Sequence, residues 1–478
     1  MILRKLFCSK FCLIIVIVLV ALGYFGYQWA KNLSVEDFLD LSFVKEKIGD
    51  ENQDLFQTVP RLLGFTKPMT YLLLFENNTE LRPGGGFIGS YALVTVNKGN
   101  TEIIKFEGTE NFDRNIPEDW RPSPPAPLKE HLGVSQWFFR DANWSPDFSV
   151  SAAKALELYI GQGGEKADEI NAVIAITPTV LEEIVGLTGP MTVEGIKFTA
   201  ENFTETLEYE VEYDYENKGK EFSERKSIME PLMMKIMSML KGDFILHFNE
   251  YLDLFASLAE EKQIMIYIVD GTLESIIEER GWSGEMTETT GDYLLWVDAN
   301  LAALKTDYAL DRELTYSISK NEAGEYLATA EMKYIHNGSF DWRTSRYRTY
   351  TRIFVPQGSE LISVDGAMKW DRTTAPGAVD EGVELDRQWF GTFISIEPGK
   401  TGNLSFTYKL PEDLFSDEYS LFVQKPLGTL NHKLTLDLNF GTNITTAKPA
   451  EEKENFGDKV YSYESDLRID REFSISFK

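Results

Sequence analysis

A chain of 478 residues with 43% hydrophobic and 13% aromatic content has material for two or three cored domains, which excludes a disordered, collagen-like or low-complexity polymer. Lys and Arg total 47 against 76 Asp and Glu, a net charge of −29, and such a surface repels phosphate backbones, so no nucleic-acid partner is expected. Cys8 and Cys12 are the only cysteines, and His131, His247, His336 and His432 are scattered without a metal-binding pair, so neither a disulfide framework nor a zinc or haem site is expected.

The chain opens with a membrane signal. Arg4, Lys5 and Lys10 precede an uncharged run from Phe11 to Ala30, and a helix of about 20 residues spans a hydrocarbon core of roughly 30 Å. Tyr24, Tyr27 and Trp29 suit an interfacial belt, and Glu36, Asp37 and Asp40 follow the run. This charge asymmetry predicts a cytoplasmic tail over 1–10, one transmembrane helix over 11–30 and everything after Lys31 outside the plasma membrane. A cleaved signal peptide is the alternative, although the apolar run lacks an Ala-x-Ala site.

Beyond the anchor, Val35, Phe38, Leu39 and Leu41 suggest a helical stalk over 31–67. Strands are expected at Tyr71–Phe75, Phe87–Val96 and Glu102–Phe106, then a proline-rich loop over 111–128. Helices around Ala152–Tyr159, Leu181–Val185, Glu224–Leu240, Phe244–Ala259 and Leu273–Glu279 alternate with apolar strands at Ala172–Ile176 and Ile264–Ile268. That alternation predicts an α/β sandwich on a mixed sheet over 68–309. From residue 310 the helical pattern stops. Short half-buried strands separated by turn residues predict an all-β, immunoglobulin-like sandwich over 310–478.

Three strings invite a chemical reading. Gly84-Gly85-Gly86-Phe87-Ile88-Gly89 satisfies G-x-G-x-x-G, but Tyr91–Val96 continues as a strand rather than a helix, so no nucleotide is expected. Its flexible backbone beside Arg82 suits close approach to an anion. Asn77-Asn78-Thr79-Glu80-Leu81-Arg82 follows the first strong strand. Glu80 and Arg82 would serve a metal and a phosphate, or form a structural ion pair. In Arg140–Phe148, the oxygen-bearing residues Asp141, Asn143, Ser145 and Asp147 alternate as in a cation loop. The alternative is that Asp147 caps the following helix.

The strings Leu74–Ser90 and Arg140–Phe148 resemble a bacterial envelope family, the one catalogued as domain of unknown function 4012. Leu187–Pro190, Thr199–Asn202, Gly281–Gly284, Asp298–Asn300 with Lys305, and Val355–Ser359 extend the resemblance. Its layout is distantly similar to the LytR-CpsA-Psr phosphotransferases, which move glycopolymers from polyprenyl-pyrophosphate carriers to the cell wall. It departs at Asn77-Asn78, where those enzymes tend to have a Gly-Asp-type loop. The resemblance implies an envelope protein that binds or transfers a polyprenyl-linked glycan or wall polymer; the other class is a non-catalytic surface scaffold or adhesin. In the transferase version Arg82 and Arg140 grip the pyrophosphate and Asn77, Asn78, Gly85 and Gly86 line the substrate. There Glu80, Asp141, Asn143 and Asp147 hold Mg²⁺.

Overall fold

Tyr71-Leu72-Leu73-Leu74-Phe75 forms the middle of strand β1 (Met69–Asn77), which pairs on both sides. The structure is a computed structural model that describes residues 58, 60–243, 247–415, 418–451 and 456–477. The expected tail, transmembrane helix and nearly all of the stalk lie outside the described residues. Among the described residues, no helix is long and apolar enough to cross a membrane.

The chain divides into two units. The first holds residues up to Asn77, Phe87–Ser123 and Gln136–Glu285, and the second holds Asn78–Gly86, Pro124–Ser135 and Met286–Lys478. The sequence pattern places the change of architecture at residue 310. The earlier division follows from β8 (Asp292–Asn300), a strand buried at every position that pairs within the second unit. A continuous apolar run of this kind carries no periodicity to assign it to either architecture.

The first unit is built on a mixed sheet in the order β3-β2-β1-β4-β7, where β2 is Phe87–Asn97, β3 Asn100–Gly108, β4 Ile170–Ile176 and β7 Ile264–Ile268. Strands β1 and β4 are parallel and the other neighbours antiparallel. The register sets Val94, Tyr71, Ala172 and Ile268 in one row across the sheet, and all four enter one apolar core. Leu72, Leu93 and Val173 on the opposite face are also fully buried. Both faces are therefore covered, which is why these strands read as unbroken apolar runs. The α-helices that follow β1 among the described residues are α1 (Thr109–Phe112), α3 (Phe148–Gly161), α4 (Pro178–Thr188), α5 (Phe203–Glu212), α6 (Met229–Asp243), α7 (Phe248–Glu260) and α8 (Gly271–Glu278), with α2 (Ala126–Leu132) in the second unit. The expected 111–128 loop thus begins and ends in helix. A short hairpin, β5 (Met191–Val193) with β6 (Ile196–Phe198), was not legible in the sequence pattern.

In the second unit, β9 (Leu310–Lys320), β10 (Tyr326–His336), β12 (Glu360–Asp365), β15 (Thr401–Lys409), β17 (Lys433–Asn439) and β19 (Val460–Asp466) form a six-stranded sheet. The strands β8, β11 (Tyr347–Pro356), β13 (Val379–Glu384), β14 (Arg387–Ile396), β16 (Glu418–Gln424), β18 (Ile444–Lys448) and β20 (Arg471–Phe477) form a seven-stranded one. Leu314, Tyr316 and Ile318 of one sheet share a core with Trp296, Ile353 and Val355 of the other. Buried and half-exposed positions alternate along β9 and β10, the two-residue period expected of sheets with one face in a core.

Candidate functional site

The sequence-predicted residues fall in both units. Asn77, Arg140, Asp141, Asn143 and Asp147 belong to the first, and Asn78, Glu80, Arg82, Gly85 and Gly86 to the second.

In the first unit they gather at the carboxyl ends of the parallel strands β1 and β4, the edge where open α/β sheets usually carry ligands. The β1–β2 ladder slips between Phe75 and Glu76: Ser90 faces Phe75 and Ile88 faces Glu76, so Gly89 is skipped. Such a bulge re-aims side chains and releases a backbone group from the ladder. The released Gly89 carbonyl accepts from Lys226 Nζ and from Thr109 Oγ1. Lys226 Nζ also lies 2.6 Å from Glu110 Oε2, and Arg225 Nε lies 3.0 Å from Glu110 Oε1. Burial pulls Lys226 down to about 8 against the pull of Glu110. Burial pushes Glu110 upward, but Lys226 and Arg225 outweigh it and hold the carboxyl below its usual range.

Glu76, fully buried, accepts from Asn143 Nδ2 at 3.0 Å, and Asn77 Nδ2 donates to Glu208 Oε1 at 3.0 Å. Arg140 stands 3.5 Å from Asp113 Oδ2 and 3.7 Å from Asp141 Oδ2, its guanidinium stacked over the Phe138 ring. Asp113 Oδ1 accepts the Phe139 N–H at 3.0 Å. Burial, with Asp141 adding to it and Arg140 opposing it, pushes Asp113 up to about 7. Arg140 is 29% exposed whereas Asp113 is 2% exposed. The arrangement offers one accessible cation beside a carboxyl that titrates near neutrality. Asp147 caps α3, its Oδ1 accepting from Val150 N at 3.2 Å and from Ser149 Oγ at 2.6 Å.

In the second unit, Arg82 is 3% exposed at its side chain. Its Nη1 donates to the carbonyls of Asn300 at 2.6 Å and Leu81 at 3.2 Å, and Glu80 lies 3.8 Å away. Glu80 also pairs with Lys305 at 2.6 Å. Leu81 N donates to Asp307 Oδ2 at 3.0 Å, and Asn300 Nδ2 reaches the same oxygen at 2.8 Å. The strings Asn78–Arg82 and Asp298–Lys305 therefore meet in one buried network. It extends through Arg312 to Asp298 at 3.1 Å and to Asp307. Asn78 Nδ2 donates to the Gly428 carbonyl at 3.0 Å. Gly85 sits at φ +134, outside the range ordinary side chains adopt, and its carbonyl would lie 2.4 Å from a Cβ at Gly428. A cavity of about 10 Å³ beside Arg82, Asp298 and His432 has room for roughly one water.

The four residues expected to hold Mg²⁺ each have another partner: Lys305 and Arg82 for Glu80, Arg140 for Asp141, Glu76 for Asn143, and the Val150 amide with the Ser149 hydroxyl for Asp147. Lys226 and Asp113 were missed as site residues. The bulge at Gly89 is not marked in the sequence, and Asp113 lies within a stretch that reads as loop.

Residues 66–212 match the family described as "Protein of unknown function (DUF4012)". This DUF4012 region spans β1 to β4 and both hallmark strings, while Lys226 and nearly all of the second unit fall outside it. No curated protein matches the chain. Among solved structures, a candidate nutrient binding protein from Legionella pneumophila is similar at 6% identity and a TM-score of 0.25, over 39% of this chain and 71% of that one. An M1 zinc metallopeptidase from Deinococcus radiodurans is similar at 10% identity and 0.18, over 37% of this chain and 43% of that one. Leukotriene A4 hydrolase from Saccharomyces cerevisiae gives 10% and 0.20, over 37% and 28%. The chain spans less than half of either hydrolase, and scores this low carry no functional argument.

Proposed function

We propose that this chain is a membrane-anchored, extracytoplasmic envelope protein that acts as a surface scaffold or binding module rather than as a phosphotransferase. The observation that supports it best is the state of Arg82. Its guanidinium is buried against the Asn300 and Leu81 carbonyls and Glu80, so a pyrophosphate would have to displace backbone partners from an enclosed site. The same economy applies to Asp147, which caps a helix, and to Asn143, which holds Glu76. In this reading the hallmark strings knit strand ends together and the two-sheet, immunoglobulin-like second unit presents binding surface. The anchor reading rests on the Phe11–Ala30 run and its charge asymmetry.

A second reading, LytR-CpsA-Psr-like glycopolymer transfer, has one observation in its favour: accessible Arg140 beside Asp113, whose carboxyl titrates near neutrality. Full-length protein in lipid nanodiscs, given polyprenyl-pyrophosphate-linked glycan, a wall-polymer acceptor and Mg²⁺, separates the two. The scaffold reading expects no release of the lipid carrier. Transfer that Arg140→Ala abolishes would replace it. For topology, protease added to intact spheroplasts should degrade the ectodomain and salt washing should leave it attached. A soluble mature form beginning near Lys31 would overturn the anchor.

A further inference from the structure

Three carboxylates converge at the α8 end of the first unit. Glu274 and Glu278 stand one turn apart on α8 and share a face. The chain then reverses through Gly281 and Gly284, both at positive φ, and returns with Glu285. One oxygen from each carboxylate lies within 4.8 Å of the others. Clusters of surface acids are common, but Glu274 is not a surface acid. It is 5% exposed; its Oε2 accepts the Ile268 N–H, while its Oε1 is buried without a hydrogen-bond partner. A buried carboxylate oxygen with nothing to accept carries a full desolvation penalty.

The surroundings add to that penalty. Burial foremost, then Glu278, Glu285 and the nearby Asp147, pushes Glu274 up to about 7. Burial, Asp147 and Glu278 do the same to Glu285, which also reaches about 7. Either protons or a cation must offset this concentration of charge. The donor set is all oxygen, which selects hard divalent cations over zinc or copper. Opposite ligands around calcium, at bonds of 2.3–2.6 Å, stand about 4.6–5.2 Å apart, so the three oxygens fit within one calcium shell.

We propose that Glu274, Glu278 and Glu285 bind one divalent cation of the calcium class, bracing the α8–Glu285 turn against the N-terminus of α3. The site is separate from the Mg²⁺ set expected from the sequence strings, and it stands whether the protein is a scaffold or an enzyme.

Calorimetric titration of CaCl₂ into EDTA-treated full-length protein in detergent tests it. One saturable site is expected, with a stoichiometry of one cation per chain. Glu278→Gln with Glu285→Gln should weaken the dissociation constant by about tenfold or more. Glu360→Gln with Glu381→Gln, exposed carboxylates of the second unit, should leave it within about twofold, because removing diffuse charge costs little. If the first double variant fails to fold, exposed Glu278→Gln alone carries the test. The proposal is overturned by the absence of saturable binding, by equal losses in the two double variants, or by an unchanged constant in whichever cluster variant folds.

Discussion

Lys226 Nζ donates to the carbonyl of Gly89, the one residue that the β1–β2 ladder skips between Phe75 and Glu76. A buried ammonium group thereby completes a backbone group that the sheet leaves over, and Glu110 balances its charge. Lys226→Met should destabilise the first unit by roughly 3 kcal/mol, since it strips one partner from a buried pair. Pairing it with Glu110→Gln should recover part of the loss, because no buried carboxylate is then left behind. Urea unfolding of the four proteins in the double-mutant cycle measures the coupling; strictly additive losses would mean that the pair does not act as a unit.

The corresponding prediction for the second unit concerns Arg82. Arg82→Met removes the donor to the Asn300 and Leu81 carbonyls and leaves Glu80 with Lys305. A cost of about 3 kcal/mol is expected, and Arg82→Lys should recover little of it, because an ammonium group lacks the planar fork. The denaturation midpoint of the second unit, followed through Trp296 in its core, reads this directly. A loss below about 0.5 kcal/mol, the range of ordinary surface substitutions, would remove the main support for the scaffold reading.

Asp113 makes stability fall as pH rises from about 4 to 7, while the buried His432 imidazole, held well below its usual range by burial, acts the opposite way. Asp113 is pushed up from 3.8 to about 7 in the folded protein. Between those values the unfolded chain has released the proton and the native chain retains it, so raising the pH favours unfolding. The contribution is fully present below about 4 and lost above about 7. Glu274 and Glu285, each near 7, and Asp292, near 6, act in the same direction. Asp113→Asn keeps an acceptor for the Phe139 N–H and removes one titrating proton. It should flatten the slope by up to about 1.4 kcal/mol per pH unit. Identical slopes in the variant and wild type across this window would refute the assignment.

Sequence carried the architecture further than the site. The strand Ile264–Ile268 and the helix after Asp147 were legible because apolar runs and caps are local signals. Strand β8 fell inside the expected α/β span over 68–309 but pairs within the second unit, since burial on both faces erases the alternation that marks a sheet position. The hallmark strings stood out by composition, but composition does not reveal partners. Arg82 reads either as an anion ligand or as the ion-pair partner of Glu80 until Asn300, more than two hundred residues later, is seen to take its donor. Glu274, Glu278 and Glu285 lay unremarked among 76 acidic residues. Helical spacing links the first two, but the return of Glu285 depends on a turn at two glycines, and the orphaned Glu274 oxygen depends on packing.

Asp147 separates a cap from a metal ligand with two substitutions. As the N-cap of α3 it accepts from Val150 N, and a side chain of this kind contributes about 1 kcal/mol. Asparagine caps as well as aspartate does, so Asp147→Asn should cost little in EDTA. It should even gain slightly, because it removes a negative charge that raises Glu274 and Glu285. Asp147→Ala should lose about 1 kcal/mol under the same conditions. A direct cation ligand predicts the reverse ranking of effects: both variants would lose calcium-dependent stabilisation in full, while differing little without metal. Thermal unfolding of wild type, Asp147→Asn and Asp147→Ala, with EDTA and with excess Ca²⁺ at constant ionic strength, reads both terms. If Asn and Ala fall equally in EDTA, the cap assignment fails.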